Sequence, residues 1–326
     1  MQFFSKKIKP KKSYVYDAYW KFAFERQEVF FKRINKSDFP WTDDSVLHQF
    51  KFTNVYRATD RVSQYLIKNI IYTGEQNPVE VLFRILLFKI FNKIETWEML
   101  EEQVGPISYK DFDYYLFDTI LSDAKSRGVS IYSGAYIMAS AGSVYGYSLK
   151  HQNHLKLIEE IINSGLAQRI DKLKNLESLY NKLLTYPSIG PFLAYQYAID
   201  INYSNIVNFS EMDFVKAGPG AKDGIRKCFS DPGAYSEEDI IKMMTEQQRE
   251  EFGRLNLPFK TLWGRDLQLI DCQNLFCEVD KYLRVVHPEA QSLSNRKRIK
   301  QKYKQSFLGE IEYFFPEKWN LNYCNH

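Results

Sequence analysis

A tight turn and a lone carboxylate are the residues in this sequence with the clearest chemistry. Ser188, Ile189 and Gly190 stand between two helical patterns, and Pro191 occupies the first position of the second helix. Free backbone N–H groups at a helix start, next to a residue as small as glycine, are suited to binding phosphate. Asp213 follows about twenty residues later. The pattern predicts DNA-backbone contacts at Ser188 and Gly190, with Asp213 as the candidate catalytic acid.

The chemistry of such an acid depends on what the turn holds beside it. A carboxylate fixed next to C1′ of a nucleotide can stabilise positive charge on the sugar as the base departs, and can orient the attacking water. A phosphate-binding turn followed by an acid is therefore the layout of an enzyme that acts on a flipped base in DNA. Glu211 is a rival for the same role. Two simpler interpretations remain: the turn is a plain connector, and Asp213 is the N-cap of the next helix.

Two further polar motifs are spaced to share helix faces. The predicted pocket residues are Asn54, Arg57, Asp60 and Arg61 in the first motif, and Gln273, Asn274, Glu278 and Lys281 in the second. Facing inward, they would offer donors and acceptors to a large polar substituent on a base, in place of apolar walls. This predicts a modified pyrimidine as substrate. The alternatives are a salt-bridged surface helix at 54–61 and a simple intrahelical pair between Glu278 and Lys281.

Basic residues extend the predicted DNA contacts beyond the turn. Lys216 follows the acid, and the run from Arg296 to Lys304 begins with Arg296, Lys297 and Arg298. Such residues could bind phosphates and make DNA affinity strongly salt-dependent. The alternative is a solvated charged face, which is the usual interpretation of such runs.

Several chemistries are not expected. The glycine-rich stretch 217–223 has neither the GxxxxGK[ST] spacing nor a preceding buried strand, so nucleotide kinase activity is not predicted for this chain. His151 and His154 are three residues apart, but an exposed helix end is favoured over a metal site. The sequence therefore predicts no metal and no cofactor.

Composition places the chain among ordinary globular proteins, since 44% of residues are hydrophobic and 26% are charged. The net charge of +4 permits an anionic partner without requiring one. The first twelve residues lack the apolar segment of a signal peptide, and no apolar stretch is long enough to span a membrane. The four cysteines, of which Cys324 is the last, have no disulfide or zinc spacing. A cytoplasmic protein is expected.

Apolar residues recur mainly at helical spacing, which predicts an all-α fold. The predicted helices cover 14–34, 55–72, 78–93, 96–104, 108–128, 151–165, 167–185, 236–252 and 266–284, with another after the turn. The small residues of 129–146 indicate a buried helix start or a loop, and 217–221 is predicted to be a turn.

The turn and acid together resemble the helix-hairpin-helix DNA glycosylase superfamily. With 52–62 and 271–282 added, the chain more closely resembles a phage and bacterial family that includes the helical domain of 5-hydroxymethyluracil DNA kinases. That family also includes α-glutamyl/putrescinyl thymine pyrophosphorylases and an anti-phage glycosylase that removes glucosylated hydroxymethylcytosine. The resemblance implies a glycosylase-like helical fold with two helical subdomains flanking a cleft. It also implies a domain over 38–290, with a basic, aromatic extension at 1–37 and a basic tail at 291–326.

The resemblance also implies a reaction. Asp213 matches the catalytic aspartate, and Phe192 replaces the Schiff-base lysine, so a monofunctional DNA glycosylase that leaves an abasic site is expected. Its partner would be double-stranded DNA carrying modified pyrimidines, in anti-phage defence. Two departures affect the DNA contacts: Ser188 replaces the usual first glycine, and 218–220 interrupts the expected helix. The alternatives are a base-hypermodification enzyme, similar to the thymine pyrophosphorylases, or a non-catalytic module that binds modified DNA.

Overall fold

The computed structural model describes residues 8–135, 138–290, 293–294, 296–304 and 312–322. In chain order, the elements are β1 (Lys11–Lys12), α1 (Tyr16–Ile34), α2 (Ser45–Gln49), a 3-10 turn (Arg57–Thr59), α3 (Arg61–Tyr65), a π-helix (Leu66–Ile71), α4 (Pro78–Phe91), α5 (Ile94–Val104), α6 (Tyr114–Ser126), α7 (Gly142–Tyr145), α8 (Lys150–Asn163), α9 (Leu166–Arg169), a 3-10 turn (Ile170–Lys172), α10 (Leu176–Leu183), α11 (Pro191–Asn202), α12 (Pro219–Cys228), β2 (Phe229–Asp231), α13 (Glu237–Arg254), α14 (Leu269–Val286) and a 3-10 turn (Glu317–Trp319). The prediction of an all-α fold is confirmed.

The chain divides into two compact units. The first unit is drawn from 1–60 and 214–312, and the second from 61–213 and 313–326. The domain boundaries predicted after residues 37 and 290 stay predictions. Parts of the predicted N-terminal extension and basic tail, and Cys324, lie outside the described residues.

Aromatic packing around α1 forms the core of the first unit. Tyr19 and Trp20 are fully buried. The Tyr19 ring lies 4.6 Å from Phe276 on α14, and the Trp20 ring lies 5.0 Å from Phe252 on α13, measured between centroids. Burying rings of this size contributes much of the hydrophobic stabilisation of a unit. Strands β1 and β2 pair in antiparallel fashion at its surface.

Two glycines let α12 and α14 cross at very short range. A Cβ atom at Gly224 would lie 2.1 Å from the Phe276 carbonyl oxygen, and one at Gly220 would lie 3.1 Å from the Cys277 sulfur. Only glycine permits so close an approach of two backbones. The predicted turn at 217–221 is therefore wrong: Gly218 is the N-cap of α12, and Pro219 is its first residue.

Helix α4 is the centre of the second unit. It is buried nearly all round, as its apolar sequence predicts, and it begins at Pro78 with Asn77 as the N-cap. Lys89 on α4 forms a buried ion pair of 3.1 Å with Asp200 on α11. Within the described ranges, no helix of either unit has both the length and the apolar character needed to cross a membrane.

The predicted helix over 55–72 is wrong in its first part. The structure has a 3-10 turn at Arg57–Thr59 and an α-helix only from Arg61, which continues as a π-helix. The cause is that side-chain carboxylates accept two backbone N–H groups of this stretch. The Asp60 carboxylate accepts the Asn54 N–H, and the carboxylate of the distant Asp271 accepts the Arg57 N–H. Side-chain acceptors of this kind compete with helical hydrogen bonds.

Two other predicted helices are divided or shortened. The helix predicted over 167–185 is split, because the Asn175 side chain caps a new helix at Leu176. The helix predicted over 108–128 begins only at Tyr114, where Asp113 is the N-cap. Of the two interpretations of 129–146, the loop is correct for most of the described part, with a short helix at Gly142–Tyr145.

Candidate functional site

Asp213, the predicted catalytic acid, lies in an exposed bend at the end of the second unit. Within the described part of the chain its carboxylate has no hydrogen-bond partner. The N-cap alternative is wrong, because the next helix begins at Pro219 with Gly218 as its cap. Its rival Glu211 is buried and accepts a hydrogen bond of 3.0 Å from the Trp319 indole N–H. Among the described residues, no hydrogen-bonding group orients the Asp213 carboxylate for chemistry.

The turn between α10 and α11 is anchored by Ile189, and its left-handed residue is a serine. Ile189 is buried, and α11 begins at Pro191 with Gly190 as its N-cap. The left-handed conformation falls on Ser188, with φ of 62°, and not on Gly190, with φ of −77°. Serine, and not glycine, therefore adopts the left-handed conformation in this turn. The predicted phosphate contacts of Ser188 and Gly190 stay predictions.

The two polar motifs meet in the first unit and form what we call the polar cluster: Arg26, Asn54, Arg57, Asp60, Asp271 and Glu278. Asn54 is its centre. The Asn54 side-chain oxygen accepts a 2.6 Å hydrogen bond from Arg26, and its side-chain amide donates to the Thr59 carbonyl at 2.8 Å. The Asn54 backbone N–H donates to Asp60 at 2.7 Å. The loop is thus tied both to itself and to α1.

Helix α14 holds the same loop through two carboxylates. Asp271 accepts the Arg57 backbone N–H at 2.8 Å, and Glu278 accepts the Thr53 backbone N–H at 3.1 Å. Lys281 pairs with Glu278 at 2.6 Å, which is the intrahelical pair left open above. Asp271 and Glu278 are therefore engaged in holding the backbone of this loop.

Asp60 is the cluster member with unusual acidity. The residue is only partly buried, but its carboxyl group is enclosed. Burial raises the pKa of Asp60 to about 7; the Asn54 N–H and the two arginines act against this rise, and Glu278 adds to it. A carboxyl group with this pKa can take up or release a proton near neutral pH, as general acid–base catalysis requires.

The remaining predicted pocket residues, Arg61, Gln273 and Asn274, are not members of the polar cluster. Arg61 belongs to the second unit, is half exposed and lies 3.9 Å from Glu95, so the shared helix face of 54, 57 and 61 is wrong. Gln273 is fully buried and donates to the Cys277 sulfur at 3.2 Å. Asn274 is partly buried. The predicted pocket roles of Arg61, Gln273 and Asn274 stay predictions.

The side chains predicted to bind the DNA backbone differ in their surroundings. Lys216 forms a 3.0 Å ion pair with Glu238 in the first unit, which also accepts the Ala217 N–H. Arg296, Lys297 and Arg298 are exposed and lie outside helices and strands. The predicted DNA contacts of all four residues stay predictions.

The predicted exposed helix end at His151 and His154 is wrong, since both side chains are fully buried. His151 contacts Asp118 at 2.9 Å and Ser122 at 3.0 Å. His154 contacts the Tyr132 hydroxyl at 2.9 Å and the Ala139 carbonyl at 2.8 Å. The carbonyl must accept from the Nε2–H, so Nδ1 accepts from the tyrosine. No group of residues with metal-binding composition occurs in the described ranges.

His154 predicts loss of stability in acid. Burial lowers its pKa from 6.5 to about 4, while the unfolded chain binds the proton near 6.5. As pH falls from about 6.5 to 4, the free energy of unfolding should decrease by up to about 3 kcal/mol from this group. Chemical denaturation at several pH values measures this change in the free energy of unfolding. His154→Gln should flatten this pH dependence, whereas exposed His48→Gln should keep it; equal slopes in all three proteins would contradict the assignment.

The described cysteines behave as inert buried thiols. Cys228 and Cys272 are buried, and burial raises the pKa of each, and of Cys277, to about 12. At neutral pH these thiols stay protonated and are poor nucleophiles.

Two cluster members, Arg26 and Asp271, were missing from the predicted site. The sequence does contain an indication of a structural role for Asp271, because this residue stands three positions after Gln268 in a capping-box arrangement. Arg26 reaches Asn54 from another helix, and no local spacing in the sequence indicates that contact.

The fold and site define a helical protein whose main polar cluster lies between a loop and a long helix of one unit. Residues 13–292 match the family described as the helical domain of 5-hmdU DNA kinase. Since this match covers most of the chain, the protein belongs to that family. It is similar to a 5-hmdU DNA kinase of Bacillus phage SP10, with 28% identity over 94% of this chain and 51% of that protein. The chain thus spans about half the length of this relative. No solved structure matches.

These comparisons overturn the predicted activity. The family and the phage relative are named for a kinase, which transfers a phosphoryl group, and not for a hydrolase of N-glycosidic bonds. The predicted monofunctional DNA glycosylase, with its abasic-site product and defence role, is therefore wrong. The family resemblance to 5-hydroxymethyluracil DNA kinase helical domains is confirmed, whereas the helix-hairpin-helix assignment stays a prediction. Asp213 is left without an assigned reaction.

Proposed function

We propose that this protein acts on 5-hydroxymethyluracil in DNA, in base hypermodification, by group transfer at the 5-substituent while the base stays attached to its sugar. The observation that carries the proposal is the family match over residues 13–292, supported by the name of the phage relative. DNA is thus the proposed partner, and its double-stranded form is part of the proposal, as is a cytoplasmic location.

The polar cluster is the proposed site of this chemistry. A hydroxymethyl group differs from the thymine methyl by one oxygen, which needs both a donor and an acceptor once it is desolvated. Asp60 supplies an acceptor or a donor according to its protonation, because the pKa of its carboxyl is about 7. Lys281, which is partly exposed and pairs with Glu278 at 2.6 Å, supplies positive charge beside the same loop, suited to a phosphorylated substituent.

The group transferred is proposed from the resemblance to the thymine pyrophosphorylases. No GxxxxGK[ST] motif occurs, so ATP is not the expected donor for this chain. The proposed reaction is displacement of pyrophosphate from an activated hydroxymethyl group by an amine or amino acid. The methylene C–O bond breaks, a C–N bond forms, pyrophosphate leaves with the electron pair, and Asp60 takes the proton from the attacking nitrogen.

A second candidate is supported by the same motif analysis. Because a phosphate-binding loop of the P-loop type is missing from the sequence, the chain could serve as the part that recognises modified DNA while another protein transfers the phosphoryl group. Both candidates require recognition of the 5-substituent.

Recognition is tested by comparing duplexes that differ at one base. The protein should bind a duplex containing 5-hydroxymethyluracil at least about tenfold more tightly than the thymine duplex, because one additional satisfied hydrogen bond contributes about 1.4 kcal/mol. Fluorescence anisotropy with labelled duplexes measures both dissociation constants, with a pyrophosphorylated base as the third substrate. Equal affinity for all three duplexes would refute the proposal.

A further inference from the structure

The basic segment 296–304 is held against the rest of the first unit by backbone hydrogen bonds, with Lys302 in an antiparallel bridge to Phe50. The Lys51 N–H donates to the Gln301 carbonyl at 3.0 Å, and the Tyr303 N–H donates to the Gln49 carbonyl at 2.8 Å. The Arg284 guanidinium donates to the Arg298 carbonyl at 3.1 Å. These bonds use the backbone of the segment, so its position is fixed without engaging its charged side chains.

Basic residues occupy every even position of this segment. We call them the basic strip: Arg296, Arg298, Lys300, Lys302 and Lys304. All five are exposed; of the odd positions, Ile299 and Tyr303 are partly buried, and Lys297 and Gln301 are exposed. In extended chain, as at the bridge between Lys302 and Phe50, successive side chains point to opposite sides, so the strip residues would share one side and repeat about every 6.6 Å.

The charges of the strip are not neutralised by the protein. Within the described part of the chain, none of the five forms an ion pair. Five cations in one row repel one another, and an anionic partner with regularly spaced charges relieves that repulsion. A nucleic-acid strand is such a partner, since it carries one phosphate per nucleotide.

We propose that the basic strip binds the sugar–phosphate backbone of the DNA strand that carries the modified base. This inference rests on the proposed function for the identity of the polymer. Residues 49–51, which pair with the segment, lead within three residues to Asn54 of the polar cluster. Phosphates on the strip would therefore run beside the loop that holds the cluster. Lys297, at an odd position, is expected to lie on the opposite side of the segment and to contribute less to these contacts.

The test is the salt dependence of binding to an unmodified thymine duplex. The variant Lys300→Gln/Lys302→Gln/Lys304→Gln should lower the slope of log affinity against log salt by about 2.7, since each phosphate contact contributes about 0.9. The control variant Lys125→Gln/Lys172→Gln/Lys174→Gln removes the same charge from exposed lysines of the second unit and should leave the slope nearly unchanged.

Single substitutions test whether residues at even positions contribute more to phosphate binding than Lys297 at an odd position. Lys300→Gln should lower the slope by about 0.9, while Lys297→Gln should lower it by less. Equal slopes for the strip triple variant and wild type, or equal effects of Lys297→Gln and Lys300→Gln, would overturn the inference. So would binding to anionic phosphatidylglycerol vesicles, lost in the triple variant, without measurable binding to DNA.

The two proposals fail in different ways. Strip variants should weaken binding to thymine and 5-hydroxymethyluracil duplexes by the same factor, which leaves the preference for the modified base intact. If the proposed function is wrong, the preference is missing in wild type while the salt slope still responds to the strip. If the strip is wrong, the preference persists and the slope does not respond.

Discussion

Gly224→Ala is expected to destabilise the protein by about 3 kcal/mol or more. The added Cβ would lie 2.1 Å from the Phe276 carbonyl oxygen and 2.8 Å from its carbon, both of them backbone atoms that cannot rotate away. Helices α12 and α14 would have to separate, which disturbs the buried Lys227–Asp280 ion pair of 2.9 Å between them. Urea denaturation followed by circular dichroism gives the free energy of unfolding.

Gly253→Ala is the matched control for this prediction. Gly253 is also helical and lies in α13 of the same unit, and a Cβ added there would meet no described atom within 4 Å. Alanine is the better helix former, so this variant should be unchanged or more stable by up to about 1 kcal/mol. If both variants were equally stable, the close helix crossing would not be a determinant of the fold.

Asp60→Asn is expected to lower the rate of group transfer about 100-fold or more, as loss of a general base typically does. The amide keeps an oxygen that can accept the Asn54 N–H, so the variant should fold with wild-type secondary structure. Asp43→Asn, at an exposed position of the same unit, should leave the rate unchanged. Product formation on DNA with pyrophosphorylated 5-hydroxymethyluracil and an added amine measures all three proteins.

The pH dependence of the group-transfer rate distinguishes a general base at Asp60 from a purely structural role of this residue. Asp60 accepts a proton only when ionised, so the wild-type rate should rise with pH through the pKa of about 7 and then level off. Asp60→Asn should lose this rise. A variant with reduced rate but an unchanged pH profile would mean that Asp60 acts through the loop geometry alone.

The sequence predicted most helices because their apolar spacing is local. Helices α1, α4, α13 and α14 lie close to their predicted ranges, and Pro78 marks the start of α4 as expected. The prediction was wrong where distant side chains decide the backbone. Asp271, more than 200 residues away, accepts the Arg57 N–H and prevents a regular helix there.

The glycine-rich stretch was misread for a related reason. Glycine and proline together normally indicate a turn, but here they begin a helix that needs no side chain at Gly220 and Gly224. Which backbone would approach those positions depends on α14, about fifty residues later in the chain. Spacing within the stretch carries no information about that contact.

The candidate site was predicted in part. The motifs at 54–60 and 271–281 do lie together, but the roles of their members depend on geometry. Asp271 and Glu278 hold the backbone of the loop, and Arg26 joins from α1. The emphasis on Asp213 came from its spacing after the turn, and spacing cannot indicate that the residue is exposed without a partner in the described chain.

Nucleoside analysis of treated DNA shows directly whether the protein transfers a group to the 5-substituent of a base that stays attached to its sugar. Wild-type protein is incubated with a duplex carrying pyrophosphorylated 5-hydroxymethyluracil and an amine donor, and the DNA is then digested to nucleosides for mass spectrometry. We expect a nucleoside in which the amine is joined to the methylene carbon, with base and sugar still linked. Free modified base with abasic sites, or recovery of the starting nucleoside alone, would contradict it.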